Sequence, residues 1–224
     1  MTFSLVARCT DTGMFGMAIS SSSPAVAARC THTRAGVGAV ASQNVTDPAL
    51  GPALLDLLAT GLDAPDALTA LLTDYPHKEW RQLLAVDATG KAAIHSGPRA
   101  LGIWSEAQDE NVAAGGNLLA NAQVPQAMVD AFVASSGHLG DRLIAALAAG
   151  RDAGGEAGPV HSAGLQVADA VSWPVVDLRC DWSESCPVDS ISDAWRVYKP
   201  QLDDYVTRAQ NPDAAPSYGV PGDT

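Results

Sequence analysis

The sequence predicts an α+β fold, a layered sandwich of largely antiparallel sheets, and three observations lead to this class. Segments with strand character come in groups, joined by short turns at 10–13 and 88–90. Pairs of amphipathic helices lie between the groups, at 47–72 and 124–149. The regular alternation of strand and helix that builds a parallel sheet does not occur.

The N-terminal third of the chain favours three strands. Phe, Leu and Val dominate 2–9, Asp and Gly at 10–13 suit a hairpin turn, and 14–20 returns as the second strand. A run of serines ending at Pro24 breaks this strand. The third strand, 34–42, consists of small residues, and its glycines predict a close approach of the backbone to a packed group or a ligand.

Helices are indicated by a change of period and by their first residues. Asp47 as N-cap and Pro48 in the first turn open a helix that carries leucines on one face and ends at Gly61. The further predicted helices are 64–72, 124–135, 139–149 and 190–208. The remaining predicted strands are 81–87, 91–95, 111–118, 161–168 and 175–180. We expect one domain over 1–210 and a loosely ordered tail over 211–224.

Composition excludes several classes of partner. The net charge is −12, with thirteen Lys and Arg against twenty-five Asp and Glu, and no basic run occurs. This balance argues against nucleic-acid and anionic-membrane surfaces. No apolar stretch approaches the ~18–20 residues of a membrane span, and no secretory signal precedes residue 23. We therefore expect a cytoplasmic protein whose four cysteines stay as thiols, without a zinc site.

Thr2 is the residue that most clearly suggests a catalytic role. It follows the initiator Met1, and its small side chain permits methionine removal. A hydroxyl nucleophile and a free α-amine would then lie on one residue. The amine, with an ordinary pKa of ~7.7–8.0, can act as the base that activates the hydroxyl.

Several segments resemble one known family. They are FSLVAR at 3–8 with TGxxGxA after it, RAGVGAVASQ at 34–43, GPALLDLLATGLDAPDAL at 51–68, HSG at 95–97, GGNLL at 115–119 and VVDLR at 175–179. From residue 2 to about 205 the chain is similar to an uncharacterised family, number 1028 among the domains of unknown function, which is grouped with the N-terminal-nucleophile (Ntn) hydrolases. The resemblance implies a four-layer αββα sandwich. Cys9 occupies a position where the family commonly has an acidic residue. Either this difference changes the specificity, or Cys9 is simply a small buried hydrophobic residue.

The catalytic candidates are Thr2, Arg34, Asn117 and His95. Arg34 resembles in placement the cation that proteasome-type relatives put beside their nucleophile, and its competing interpretation is a surface residue at a strand end. Asn117 follows two glycines, so it either donates a hydrogen bond to a ligand or occupies a left-handed turn. His95 ends a strand and either faces a cleft or is a structural histidine.

The substrate-binding candidates are Ser21, Gln43, Asn44, Asp177 and Arg179. Ser21 either supplies a hydroxyl near the terminus or belongs to a plain loop. The amides of Gln43 and Asn44 suit a polar substrate, with loop capping as the alternative for Asn44. Asp177 and Arg179 share one face of a strand and form either a clamp for a carboxylate or a structural pair.

Two functions remain open at this point. The first is hydrolysis of a small amide-type (C–N) bond by an N-terminal Thr nucleophile. The second is a non-catalytic binding or interaction protein that retains Met1. No Walker loop, GxSxG elbow or dinucleotide fingerprint occurs, so we expect no cofactor and no metal. We expect a small-molecule substrate and a homo-oligomer.

Overall fold

The ten strands that the structure describes form two antiparallel sheets. The structure, a computed structural model, describes residues 2–221. The strands are β1 Thr2–Arg8, β2 Phe15–Ser21, β3 Thr31–Arg34, β4 Gly38–Asn44, β5 Arg81–Asp87, β6 Ala92–Ser96, β7 Ser105–Asp109, β8 Val112–Asn117, β9 Ser162–Ala168 and β10 Pro174–Cys180. The larger sheet has the order β10-β9-β2-β1-β8-β7, and the smaller has the order β3-β4-β5-β6. The prediction of a mixed α+β fold with antiparallel sheets is confirmed.

Seven α-helices accompany the sheets in the described part of the chain. They are α1 Val26–Cys30, α2 Leu50–Ala59, α3 Ala64–Leu72, α4 Val124–Ala134, α5 Leu139–Asp152, α6 Pro187–Tyr198 and α7 Leu202–Gln210. Helix α3 has the predicted bounds, because the Asp63 carboxylate accepts from the Asp66 N–H as N-cap and Pro65 lies in the first turn. None of the described helices is long and apolar enough to cross a membrane.

Three apolar clusters hold these elements together. The first joins the larger sheet to α4, α5 and α6, through side chains such as Phe3 and Leu143. The second lies between the two sheets and includes Val6 and Leu84. The third joins the smaller sheet to α2 and α3, through residues such as Leu54. Apolar contacts therefore join each sheet to helices and join the two sheets to each other.

The predicted strand 34–42 is divided in the structure: residues 35–37 form a turn between β3 and β4, and residues 38–42 belong to β4. Arg34 ends β3, and its carbonyl accepts from the Val37 N–H. Gly36 has a φ of 69°, which an L side chain rarely adopts. Helix α1 before β3 was not predicted, because five residues are too few for a periodic pattern.

Two other elements differ from the sequence prediction. Strand β7, with the sequence SEAQD, lacks strand character and is held by its pairing with β8. The predicted helix 190–208 is two helices, α6 and α7, with a short 3-10 turn at Lys199–Gln201 between them. Pro200 lies in that turn, because it lacks the N–H that a continuous helix needs.

We predict that Leu84→Ala lowers the free energy of unfolding by about 2–5 kcal/mol. Leu84 is 0% exposed and lies between the two sheets, so its truncation leaves a cavity that the packed strands cannot close. Urea unfolding followed by circular dichroism measures the change. Leu62→Ala, at a position that is 38% exposed, is the matched control and should cost about 0.5 kcal/mol or less. Equal losses in the two variants would contradict the packing described.

Candidate functional site

Thr2 begins the strand at the centre of the larger sheet. Asn117 of β8 lies directly opposite it on one side. On the other side, the pairing of Phe3 with Ser20 makes Ser21 of β2 level with Thr2. All three side chains are buried, and Thr2 is 5% exposed. The sheet therefore brings together three of the residues that the sequence singled out.

The Thr2 side chain lies on the face that meets the smaller sheet. Phe3 and Leu5 belong to the cluster under the helices, whereas Val6 belongs to the cluster between the sheets. Because side chains alternate along a strand, Thr2 and Ser4 share the face of Val6. On this face the apolar packing gives way to polar groups over the first residues of β1.

A buried chain of hydrogen bonds connects the two sheets at this point. The Ser4 hydroxyl donates to Gln43 Oε1 at 2.6 Å. Gln43 Nε2 in turn donates to Gln82 Oε1 at 2.8 Å and to the Gly115 carbonyl at 3.2 Å. All these side chains are fully buried. Gln43 thus binds strands of both sheets and fixes their separation beside Thr2.

Asn117 is the member of this network next to Thr2. Its Nδ2 donates to Gln82 Oε1 at 3.2 Å. Its Oδ1 is buried and, among the described residues, has no hydrogen-bond partner. A buried carbonyl oxygen without a donor costs about 1–3 kcal/mol, so this atom is suited to accept from a bound molecule.

The same network continues outward to the rim of the site. Gln82 Nε2 donates to Ser96 Oγ at 3.0 Å and to the Gly116 carbonyl at 3.2 Å. The Ser96 hydroxyl donates to Glu106 Oε2 at 2.7 Å. Each side-chain amide is therefore oriented by a neighbour, and the rim ends in an exposed carboxylate.

Glu156 is a buried carboxylate at the same end of the larger sheet. It is 5% exposed, and its Oε1 accepts from the Ser22 N–H at 3.0 Å. Burial raises the pKa of Glu156 above the usual carboxyl value, against the opposing hydrogen bond from the Ser22 N–H. Its Oε2 and the Ser22 hydroxyl lack a hydrogen-bond partner within residues 2–221.

Backbone geometry beside Asn117 is unusual. Leu118 has a φ of 52°, in the left-handed region that residues with a Cβ seldom occupy. Gly116 is required by packing, since a Cβ there would lie 2.6 Å from Leu119 Cδ2 and 3.0 Å from the Thr2 carbonyl. The glycines before Asn117 therefore serve close packing around Thr2, and the strained residue is Leu118 rather than Asn117.

Asn44 makes contacts that stabilise loops. Its Nδ2 donates to the Trp80 carbonyl at 2.5 Å, and its Oδ1 accepts from the Leu101 N–H at 3.2 Å. Asn44 has a φ of 73°, which Asn tolerates better than most residues. Asn44 therefore satisfies backbone groups, as the capping alternative predicts. These groups, however, belong to other loops than the one before α2.

Arg34 lies far from Thr2. It pairs with Gly38, which is five residues along β4 from Gln43, or about 17 Å. Its guanidinium forms an ion pair of 2.8 Å with Asp56 of α2, and its side chain is 40% exposed. The structure therefore does not bring this cation beside Thr2.

His95 lies on the other face of the smaller sheet. It is paired with Leu83, which packs under α2 and α3, whereas the next residue, Ser96, faces the larger sheet. The His95 Nε2 is 2.9 Å from the Lys78 carbonyl. The ring lines an open pocket beside α3 and does not join the group around Thr2.

Asp177 and Arg179 form an ion pair on the edge strand β10. The guanidinium makes two hydrogen bonds of 2.7 Å to the carboxylate, and Gln166 Nε2 donates to it at 3.3 Å. Three strand steps, about 14 Å, separate β10 from β1. Of the two interpretations, this geometry fits the structural ion pair better than a substrate clamp. The pair lies apart from Thr2.

Sequence reasoning missed four polar residues of this region: Ser4, Gln82, Ser96 and Glu156. Ser4 and Gln82 carried a usable signal, because each is a polar residue within an apolar strand that is buried on both faces. Glu156 lies in a Gly-rich loop and gave none. Among the described residues, no group of His, Cys, Asp and Glu has the arrangement of a metal site.

We predict that Gln43→Ala destabilises the protein by about 2–4 kcal/mol. The change removes the acceptor of Ser4 and the donor to Gln82 and Gly115, so buried polar groups of both sheets lose partners. Thermal and urea unfolding measure the loss. Gln108→Ala, at an exposed position of β7, is the control and should change stability by about 0.5 kcal/mol or less. A neutral Gln43→Ala would show that the sheets do not depend on this bridge.

Comparison with known proteins assigns the family. The sequence profile described as a family of unknown function (DUF1028) matches residues 2–191. The crystal structure of protein SPO2555 from Silicibacter pomeroyi, of the same family, aligns with a TM-score of 0.82 and 30% identity, covering 88% of this chain and 89% of that one.

Two more distant structures share only weak similarity. The first is an Anbu (Gly-1) mutant from Hyphomicrobium sp. strain MC1, with a TM-score of 0.42 and 11% identity, covering 91% of this chain and 96% of that one. The second is Anbu (ancestral beta-subunit) from Yersinia bercovieri, with a TM-score of 0.39 and 11% identity, covering 91% of this chain and 97% of that one. No curated protein matches the chain significantly. The profile match and the Silicibacter structure agree, and the chain belongs to the family of unknown function DUF1028.

Proposed function

We propose that the protein hydrolyses a small amide-type (C–N) bond with Thr2 as nucleophile, after removal of Met1, on a four-layer αββα sandwich of Ntn type. Met1 lies outside the residues that the structure describes. The observation that carries the proposal is the position of Thr2. Its side chain lies between Ser21 and Asn117, on the face where a polar network replaces the apolar packing between the sheets.

The packing of the layers is consistent with this proposal. One group of helices covers the outer face of the larger sheet, and α2 with α3 covers the outer face of the smaller one. The Thr2 side chain, at the start of β1, therefore faces the space between the two sheets, where water has limited access. A water-poor site strengthens the electrostatic interactions on which acyl transfer depends.

The proposed reaction uses groups that belong to Thr2 itself. The Oγ attacks the substrate carbonyl carbon, and its proton passes to the α-amine. The amine then gives this proton to the leaving nitrogen as the C–N bond breaks, which leaves an ester on Thr2. Water, activated by the same amine, hydrolyses the ester and restores the hydroxyl.

Asn117 supports the choice of an amide-type substrate. Its Oδ1 needs a donor, and an amide or ureide N–H provides one. Its Nδ2 is held by Gln82, so the carbonyl oxygen is fixed in direction. Arg34 and His95, which the sequence suggested as catalytic groups, are not part of this proposal because of their distance or their face of the sheet.

The remaining expectations stay proposals of the same kind. We propose a cytoplasmic protein that acts on a small molecule, needs neither metal nor cofactor, and assembles as a homo-oligomer. The alternative function is a binding or interaction protein that retains Met1. The two functions differ in the first residue of the mature protein.

We predict that intact-mass spectrometry of the natively expressed protein finds Met1 removed, and that Thr2→Ala lowers turnover by about 10³-fold or more. Substrates are small amides, cyclic ureides and N-acyl amino acids. Thr2→Ser should keep measurable turnover, since it keeps the hydroxyl and the amine. Thr10→Ala, in the exposed turn after β1, is the control and should leave turnover unchanged. Quantitative retention of Met1, or equal turnover by Thr2→Ala, would remove Thr2 from the mechanism.

A further inference from the structure

Glu156 continues the line of β1 beyond Thr2. Thr2 pairs with Asn117, the last residue of β8, and Glu156 forms a bridge with Leu119, so Leu118 alone separates the two positions. Two residue steps span at most about 7 Å.

The side of β8 on which this segment lies is fixed by its hydrogen bonds. The N–H groups of Leu118 and Leu119 donate to the carbonyls of Leu101 and Ile103, in the loop that leads to β7. That loop covers the β7 side of β8. The segment around Glu156 therefore lies on the β1 side, where the Leu118 carbonyl accepts from the N–H that follows Glu156.

The carboxylate also reaches the strand on the far side of β1. Its Oε1 accepts from the Ser22 N–H, which directly follows the end of β2. Contact with both neighbours of β1 requires the carboxyl group to lie across the gap between them. Since Gly155 packs against the Phe3 ring, the whole segment lies close to the start of β1. The Glu156 carboxylate thus lies beyond the N-terminal end of β1, next to Thr2.

The second carboxylate oxygen has no partner that accounts for its burial. Glu156 Oε2 and Ser22 Oγ are both buried without a hydrogen bond among the described residues. A buried carboxylate is costly unless a cation or several donors satisfy it. His161 interacts with it electrostatically, but the His161 Nδ1 is 2.9 Å from the Ser183 carbonyl and the ring stacks on Trp182. The site is therefore built for one more donor.

We propose that Glu156 binds the α-ammonium group of Thr2 and acts as a positioning residue that orients the amine toward the Thr2 hydroxyl. The inference rests on the proposed function for the removal of Met1. When Met1 is removed, the amine of Thr2 and the Glu156 carboxylate are one residue position apart along the line of β1. In this proposal the partner of the N-terminal amine is an anion, Glu156, rather than the cation, Arg34, that the sequence suggested.

The consequence for the reaction follows from charge. As the hydroxyl proton moves to the amine, the amine becomes an ammonium ion, which a nearby carboxylate stabilises. Glu156 therefore makes the amine a stronger base.

The basicity of the Thr2 amine can be measured without any substrate. The full chain from Thr2 to Thr224 is prepared as a fusion whose leader is cleaved off directly before Thr2. Short pulses of acetic anhydride between pH 6 and 10 label the unprotonated amine. Hydroxylamine removes acetyl esters from hydroxyl groups, and trypsin then releases the peptide Thr2–Arg8, which contains no Lys, so its remaining acetyl group reports the α-amine. The pH midpoint of labelling gives the amine pKa.

The wild-type midpoint should lie above the ~7.7–8.0 of an ordinary α-amine. Glu156→Gln keeps the acceptor for Ser22 and removes the charge, so we expect a lower midpoint and labelling about fivefold faster at pH 7. Glu156→Asp should restore part of the wild-type behaviour. Glu110→Gln, at an exposed turn at the other end of β8, is the control and should match the wild type.

A wild-type midpoint at or below 7.7–8.0 overturns the inference without reference to any variant, so a poorly folded Glu156→Gln does not block the test. An unchanged midpoint in a folded Glu156→Gln overturns it as well. If the midpoint shifts as expected and no amide is hydrolysed, the ammonium site stands and the proposed hydrolysis fails. If amides are hydrolysed with an ordinary midpoint, the hydrolysis stands and Glu156 has no such role.

Discussion

The pairing of β1 on both sides, at the centre of the larger sheet, is the constraint on which the rest of the structure depends. Because β2 and β8 both reach the level of Thr2, the first residue of β1 lies between two strands and not at a frayed end. This register puts Thr2 level with Ser21 and Asn117 and turns its side chain toward the smaller sheet. The same register places Glu156 in line with the strand. Every candidate role that we assign to Thr2 follows from these pairings.

The polar bridge between the sheets gives this position its chemical character. A cluster of apolar side chains joins the two sheets, whereas beside Thr2 the residues Ser4, Gln43 and Gln82 form a buried polar contact between them. Buried amides cost stability unless each is satisfied, so such a network fixes one register of the two sheets. Asn117 Oδ1, at its margin, and Glu156 Oε2, at the same end of the larger sheet, have no hydrogen-bond partner among the described residues. They are the points at which a bound group would complete the network.

The sequence predicted the elements that helix caps and local residue preferences determine, and it missed those that depend on strand pairing. The bounds of α3 and β5 were predicted correctly, since a cap and a run of β-formers mark them. Strand β7 and the split of 34–42 depend on partners and on one left-handed glycine, which no period reveals. Thr2, Asn117 and Gln43 were separate candidates from the sequence, and strand pairing brings them together in the structure. The distance of Arg34 and the approach of Glu156 depend on register, which a single sequence does not give.

The central claim is that Thr2 is the reactive nucleophile of the mature chain. The most direct measurement is to treat the protein with a β-lactone, a strained ester that acylates an activated hydroxyl, and to map the adduct by mass spectrometry. The account predicts one acyl group on the peptide Thr2–Arg8, carried by the Thr2 hydroxyl as an ester. A stoichiometric adduct on another residue of a chain that hydrolyses amides would contradict it.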